Sequence, residues 1–291
     1  MTITEIPAGS SLELLPTGTD NRADAMSCDA PIISHEDAGD RYRRMVLHAP
    51  QIARTTLPGQ FVMMTAVRPD ASWPVLPRPM AVFDTNTTTG EITIVYGVVG
   101  AGTKHMAGFV AGETVVVVGP VGRPFDLASE CGLTVLLGRG IGSCSLTMLA
   151  AAARAAGSRV VAVASGRTAG ATIGTEFYRS CGAEVLAVRD TDASSDPAAV
   201  RAALHDMLGG TEPALIAVCG SRRLAALAAD LASDSGAHVQ VSLEAHMACG
   251  LGYCHGCSTG EQTAAPEAPL VCRDGPVFRL VNHQAAAARH G

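Results

Sequence analysis

Four cysteines near the C-terminus, Cys249, Cys254, Cys257 and Cys272, follow the spacing C-x4-C-x2-C-x14-C. Three thiolates from one short loop and a fourth from a later segment form a ligand pattern that holds a [2Fe-2S] cluster. Glycines at 250, 252 and 256 suit such a loop, which must adopt unusual dihedrals and aim N–H groups at sulfur. Zinc is the alternative metal, but it usually takes paired CxxC knuckles or CxxC with HxxxH, and only one CxxC is present. His246 and His255 read as flanking or surface residues, because four thiolates already complete a shell. The other five of the nine cysteines, at 28, 131, 144, 181 and 219, are isolated and read as small buried hydrophobes.

A second candidate site is the turn at 138–142, where Gly138, Gly140 and Gly142 follow an apolar run and precede a helical stretch. Small residues there let backbone approach a pyrophosphate, and a following helix supplies N–H donors. A tight βα turn without a ligand collects glycines too, so both readings stand at this point. Cys219-Gly220-Ser221 closes a later apolar run, at the strand end where parallel sheets present ligand-facing turns. Earlier in the chain, Arg78-Pro79-Met80-Ala81 offers a guanidinium fork held by a rigid proline. Tyr96 beside Gly97 could lie against a planar ring, and Gly100, Gly102 and Thr103 could line a diphosphate. The same residues also read as a surface arginine, a core tyrosine and a glycine turn.

The elements that must position these residues form an α+β multidomain chain. The first 30 residues lack a sustained period and read as an N-terminal extension. Over 31–127, β runs at 42–48, 60–66, 80–84, 92–96 and 114–118 alternate with turns at 87–90 and 111–113, which predicts a small antiparallel β-barrel. Over 128–245, strands at 133–137, 159–164, 184–188, 214–218 and 239–243 alternate with helices near 146–156, 175–181, 197–208 and 222–233. That alternation predicts an α/β domain with a parallel sheet covered on both faces, of nucleotide-binding type. Residues 246–291 form a small cysteine-rich module.

The 291 residues carry a net charge of −6, which argues against a nucleic-acid partner. Hydrophobic residues are 47% and aromatics only 4%, so Val, Ala, Leu and Ile must fill the cores. The N-terminus lacks a secretory pattern and no window is apolar enough for a membrane span, so the expected compartment is cytoplasmic. Thiols stay reduced there, and a disulfide scaffold is excluded.

Taken in order, these residues resemble the ferredoxin–NAD(P)+ reductase superfamily, and more narrowly the electron-transfer subunits of type B dihydroorotate dehydrogenases. The matching stretches are Pro58-Gly59-Gln60-Phe61, Arg78-Pro79-Met80, Gly102-Thr103, Gly119-Pro120-Val121-Gly122, the turn at 138–142 and Cys219-Gly220. Ser242-Leu243-Glu244, Met247-Ala248-Cys249-Gly250 and the stretch from Val271 through Cys272 to Phe278 match most closely, and the likeness covers residues 32–280. The resemblance implies FAD in a groove between barrel and α/β domain, against Arg78, Pro79, Met80 and Ala81, Val95, Tyr96 and Gly97, and Gly102 and Thr103. It implies NAD(H) as co-substrate, docked on Gly138, Gly140, Gly142, Cys219 and Gly220, and the cluster on Cys249, Cys254, Cys257 and Cys272. Electrons would pass between NAD and a catalytic, FMN-containing partner subunit within a heterotetramer, with no substrate site in this chain. A reductase feeding an oxygenase, or a cluster scaffold, is the alternative. The chain departs from the family pattern at Ala81 (usually Ser), Arg139 (usually Gly), and Ser145 and Ser221 (usually Pro). Arg139 in particular places a bulky cation where pyrophosphate would approach.

Overall fold

The computed structural model describes residues 12–17, 24–68, 76–127, 132–260 and 267–282. The N-terminal half contains strands β1 (Leu12–Pro16), β2 (Met26–Asp37), β3 (Tyr42–His48), helix α1 (Pro50–Thr55), β4 (Phe61–Thr65), β5 (Arg78–Asn86), β6 (Glu91–Gly97), helix α2 (Ala101–Met106) and β7 (Thr114–Val121). Strands β2 to β7 close a six-stranded barrel in the order β2-β3-β6-β5-β4-β7, and each described pairing is antiparallel. Period-two alternation puts Met45 and Leu47, Val62 and Met64, Ile92 and Ile94, and Val115 and Val117 into one core. The β5–β6 hairpin is set by Asn86, whose Oδ1 accepts from the N–H groups of Thr88 (3.0 Å) and Thr89 (3.1 Å).

The second half begins with β8 (Leu133–Arg139) and continues through α3 (Thr147–Ala155), β9 (Arg159–Gly166), α4 (Thr175–Ser180), β10 (Glu184–Arg189), α5 (Pro197–Leu208), β11 (Pro213–Cys219), α6 (Arg222–Ser235), β12 (His238–Ser242) and β13 (Val277–Asn282). Helix α5 has sharp bounds because Asp196 accepts from the Ala198 N–H, Pro197 opens the first turn and Gly209 ends it at φ 58°. Its Val200, Leu204 and Leu208 share one buried face. β8 is buried along its length, as a central parallel strand must be when helices cover both faces.

The structure departs from the sequence reading in three places. The seven-stranded sheet has the order β1-β13-β12-β11-β8-β9-β10, with a parallel core extended at one edge by two antiparallel pairings, β12 with β13 and β13 with β1. The segment read as an N-terminal extension supplies β1, paired Leu12↔Asn282, and the first residues of barrel strand β2, because Met26 pairs with Gly119 and Ala30 with Val115. The boundary drawn at 246 is crossed, because the cysteine-rich module of residues 246–291 contributes β13 to this sheet. Among the other cysteines, Cys144 and Cys219 are buried, Cys28 and Cys181 are half-buried, and Cys131 lies outside the described residues. No described helix is long and apolar enough to cross a membrane.

Candidate functional site

A cavity of about 650 Å³ opens where the barrel, the C-terminal edge of the parallel strands and the segment leading to the cysteine loop meet. The barrel contributes Pro79, Met80 and Ala81 from β5, Val95, Tyr96 and Gly97 from β6, and Thr103 from α2. The α/β half contributes Arg139 from the end of β8, Gly140, Ile141, Cys144 and Ser145 after it, and Gly220 after β11. Glu244 and Met247 close the third side. The volume lies within the range of small-molecule and cofactor sites.

The remaining sequence-predicted residues stand just behind this surface. Gly138 packs against Ser143, and a Cβ on Gly142 would stand 2.6 Å from Gly220 Cα, so the two turns interlock. Residues Gly140–Ser145 form a 3-10 turn that leads into α3, which spans the stretch expected to be helical near 146–156. Tyr178 holds that turn from behind, its buried hydroxyl donating to the Ser143 carbonyl at 2.9 Å. Arg78 and Gly102 are stacked against each other at the barrel end of the cavity. Thr103 Oγ1 accepts from the N–H groups of Val99 (2.9 Å) and Gly100 (3.1 Å), which fixes the loop entering α2.

Tyr96 is buried in the barrel core as well as lining the cavity. His35 Nδ1 lies 2.7 Å from the Phe109 carbonyl, and Nε2 lies 2.9 Å from the Tyr96 hydroxyl. A carbonyl only accepts, so Nδ1 carries the proton, and in the neutral ring Nε2 accepts from Tyr96. Burial raises the Tyr96 hydroxyl to about 12, so it stays a donor. Cys219 is fully buried, with its Sγ 3.8 Å from Ser145 Oγ. Burial, followed by the neighbouring Glu244 carboxylate, pushes this thiol up to about 12. Glu244 is itself raised above the usual carboxylate range by burial.

The two serines that stand where prolines are usual therefore have structural roles. Ser145 partners Cys219, and Ser221 caps α6 by accepting from the Leu224 N–H at 3.4 Å. Arg139 does not project over the glycine turn. Its Nη1 donates to Ser165 Oγ (2.9 Å) and Asp190 Oδ1 (3.1 Å), and its Nη2 to Asp190 Oδ2 (2.7 Å). Arg139, with Ser195, holds the Asp190 carboxyl down at about 2. Sequence reasoning missed Asp190, although an acid ending a parallel strand at the ligand-facing edge is a recognisable signal.

The cysteine loop follows Met247, with Gly250 (φ +71°) pressed against the Met63 side chain of the barrel wall. The Cys257 and Cys272 sulfurs lie 3.2 Å apart, and the Cys254 thiol hydrogen-bonds Cys249. Backbone N–H groups point at sulfur: Gly252 to Cys272 at 3.1 Å, Leu251 to Cys249 at 3.4 Å and the Cys272 N–H to Cys257 at 3.5 Å. The bond to Cys272 brings the Cys257 thiol to about 6 and raises Cys272, so this pair shares one proton. Burial opposes ionisation of Cys249, but hydrogen bonds from Leu251, Cys254 and Tyr253 bring it to about 7. Among the described residues no three His, Cys, Asp or Glu side chains converge as a single-ion site. Two thiol pairs wrapped by N–H donors instead fit a two-iron cluster, in which each iron takes two cysteines.

Residues 244–282 match the family described as "Iron-sulfur cluster binding domain of dihydroorotate dehydrogenase B", a span that holds all four cysteines. The chain is 33% identical over 253 residues to the electron transfer subunit of dihydroorotate dehydrogenase B (NAD(+)) from Streptococcus thermophilus, covering 86% of this chain and 95% of that protein. It is 30% identical over 250 residues to the corresponding Bacillus velezensis subunit, covering 84% and 94%. Among solved structures, an NADH-dependent reduced ferredoxin-NADP oxidoreductase shares the fold at a TM-score of 0.73 and 24% identity, over 89% of this chain and 92% of that one. The ferredoxin reductase of carbazole 1,9a-dioxygenase shares it at 0.57 and 19%, over 74% and 67%. With relatives at 30% identity or more covering over four-fifths of this chain and nearly all of their own length, the chain belongs to the family of dihydroorotate dehydrogenase B electron transfer subunits.

Proposed function

We propose that this chain relays electrons between NAD(H) and a catalytic dihydroorotate-oxidising subunit, through FAD in the interdomain cavity and a [2Fe-2S] cluster on Cys249, Cys254, Cys257 and Cys272. The observation that carries this reading is the shared cavity, where Met80 and Tyr96 of the barrel, Gly140 of the nucleotide turn and Met247 of the cluster segment face one space. Bound FAD supplies the exchange between two-electron hydride chemistry and the one-electron chemistry of a cluster.

The protein's own part is to bind, orient and exclude water. Arg78, Gly102 and Thr103 form the barrel-side cradle for the flavin's phosphates, while Pro79, Met80, Ala81, Val95, Tyr96 and Gly97 give its ring a largely apolar bed. Ala81 offers no hydroxyl there, so ring orientation rests on backbone and shape. Gly138, Gly140, Gly142, Cys219 and Gly220 receive NAD(H), with the neutral Cys219 thiol and Ser145 packed at the nicotinamide end. The partner is a catalytic oxidoreductase subunit carrying FMN, assembled with this chain as a heterotetramer in the cytoplasm and serving pyrimidine biosynthesis. Tyr253, 91% exposed, and Leu251, 55% exposed, lie within the cluster loop and supply the apolar docking face.

Anaerobic titration of the reconstituted holoprotein with NADH tests the reading. The expected result is bleaching of flavin absorbance followed by a low-temperature paramagnetic signal from the reduced cluster. Protein that retains no flavin, or whose flavin and cluster stay oxidised under excess NADH, would overturn it.

A further inference from the structure

The Arg139 side chain leaves the end of β8, reaches Ser165 at the end of β9 and is gripped at both Nη atoms by Asp190, which directly follows β10. Strands β8, β9 and β10 are consecutive neighbours in the sheet. Adjacent strands lie about 4.8 Å apart, so the guanidinium is held between one and two strand spacings, roughly 5–10 Å, from the glycine turn at the end of β8. That displacement is too large for a group bracing a pyrophosphate on the turn, and it matches the onward reach of the adenosine half of a dinucleotide. Three N–H···O bonds fix the guanidinium plane, the side chain keeps 22% exposure, and Arg139 is among the residues lining the same cavity as Gly140 and Gly220. The ion pair with Asp190 cancels the net charge locally, leaving a flat, delocalised and weakly hydrated surface, which suits a purine face better than a phosphate.

We infer that Arg139 is a specificity-determining residue: clamped by Asp190 and Ser165, its guanidinium is the platform on which the adenine of NADH stacks. The inference rests on the NADH reading given above. A glycine at this position could not supply the platform, and a lysine would supply charge without the plane.

The test compares NADH with reduced nicotinamide mononucleotide, which lacks the adenosine half, as electron donors to the holoprotein with ferricyanide as acceptor. In Arg139→Gly and Arg139→Lys, the KM for NADH is expected to rise about tenfold, the order of a lost stacking contact to a guanidinium. The change falls on KM rather than kcat, and the KM for the mononucleotide stays at its wild-type value in both variants. Three results would overturn the platform: an NADH KM that falls or holds in Arg139→Gly, full rescue by Arg139→Lys, or parallel KM increases for both donors. Wild-type protein that oxidises neither donor would overturn the NADH reading itself, and the platform with it.

Discussion

Gly102 lies directly beneath the guanidinium of Arg78, with no room for a methyl group between them. The same guanidinium donates through Nη1 to the Leu76 carbonyl, so it cannot swing away without losing that bond. Gly102→Ala therefore pushes the guanidinium out of the barrel-side cradle while leaving the buried barrel core intact. Flavin affinity is expected to fall at least about tenfold, as for loss of one charged hydrogen-bonding partner of a phosphate. Flavin retained per protein after gel filtration measures it, with far-ultraviolet circular dichroism confirming the fold. Wild-type flavin content in the variant would show that Arg78 is not part of the cradle.

Cys254 is the exposed member of the thiol set and hydrogen-bonds Cys249, whereas Cys257 and Cys272 form the buried pair. Cys254→Ser removes one ligand from the outer pair and touches nothing in the cavity. Iron and acid-labile sulfide are expected to drop to background in the purified variant, with flavin content unchanged. Full iron–sulfur content in Cys254→Ser would remove this residue from the ligand set.

The Arg139–Asp190 pair carries a pH signature. Asp190 sits at about 2 in the folded protein against an ordinary value of 3.8, first through the Arg139 hydrogen bond and then through Ser195. A depressed folded-state value means stability that is present above about pH 4 and is lost as pH falls toward about 2. Both side chains are partly exposed, so the contribution is modest and weakens with salt. Denaturant melts of wild type and Asp190→Asn should differ at neutral pH and converge as pH drops below about 4. A gap that stays constant over that range would show that the pair does not titrate as described.

The cysteine ligand pattern could be read from sequence because ligand type and spacing are local. The bounds of α5 could be read for the same reason, since cap, proline and terminal glycine are adjacent in the chain. What escaped were several features made by distant partners. Strand β1 is short and its mate, β13, lies at the opposite end of the chain, so no window of residues contains the pairing. The first residues of β2 were hidden in the same way, because they pair with β7. Asp190 gains its meaning only when the sheet order sets β10 two places from β8. Ser145 and Ser221, read as missing prolines, have positive roles that depend on Cys219 and on the start of α6.

Tyr253 stands almost fully in solvent at 91% exposure, one residue from Cys254 and two from Leu251. Holding an aromatic ring in water next to a redox centre gains nothing for the isolated chain, because its apolar area is not removed from solvent. Buried against a catalytic subunit, the same ring becomes a central anchor of the kind that dominates interface energetics, at about 2 kcal/mol or more on truncation. Tyr253→Ala should therefore weaken assembly with that subunit by roughly thirtyfold, most of it in the dissociation rate. Iron, sulfide and flavin contents should match wild type, since the ring is not within the thiol set. Surface plasmon resonance against the immobilised catalytic subunit reads the loss directly. Unchanged dissociation in Tyr253→Ala would place the docking face elsewhere on the molecule.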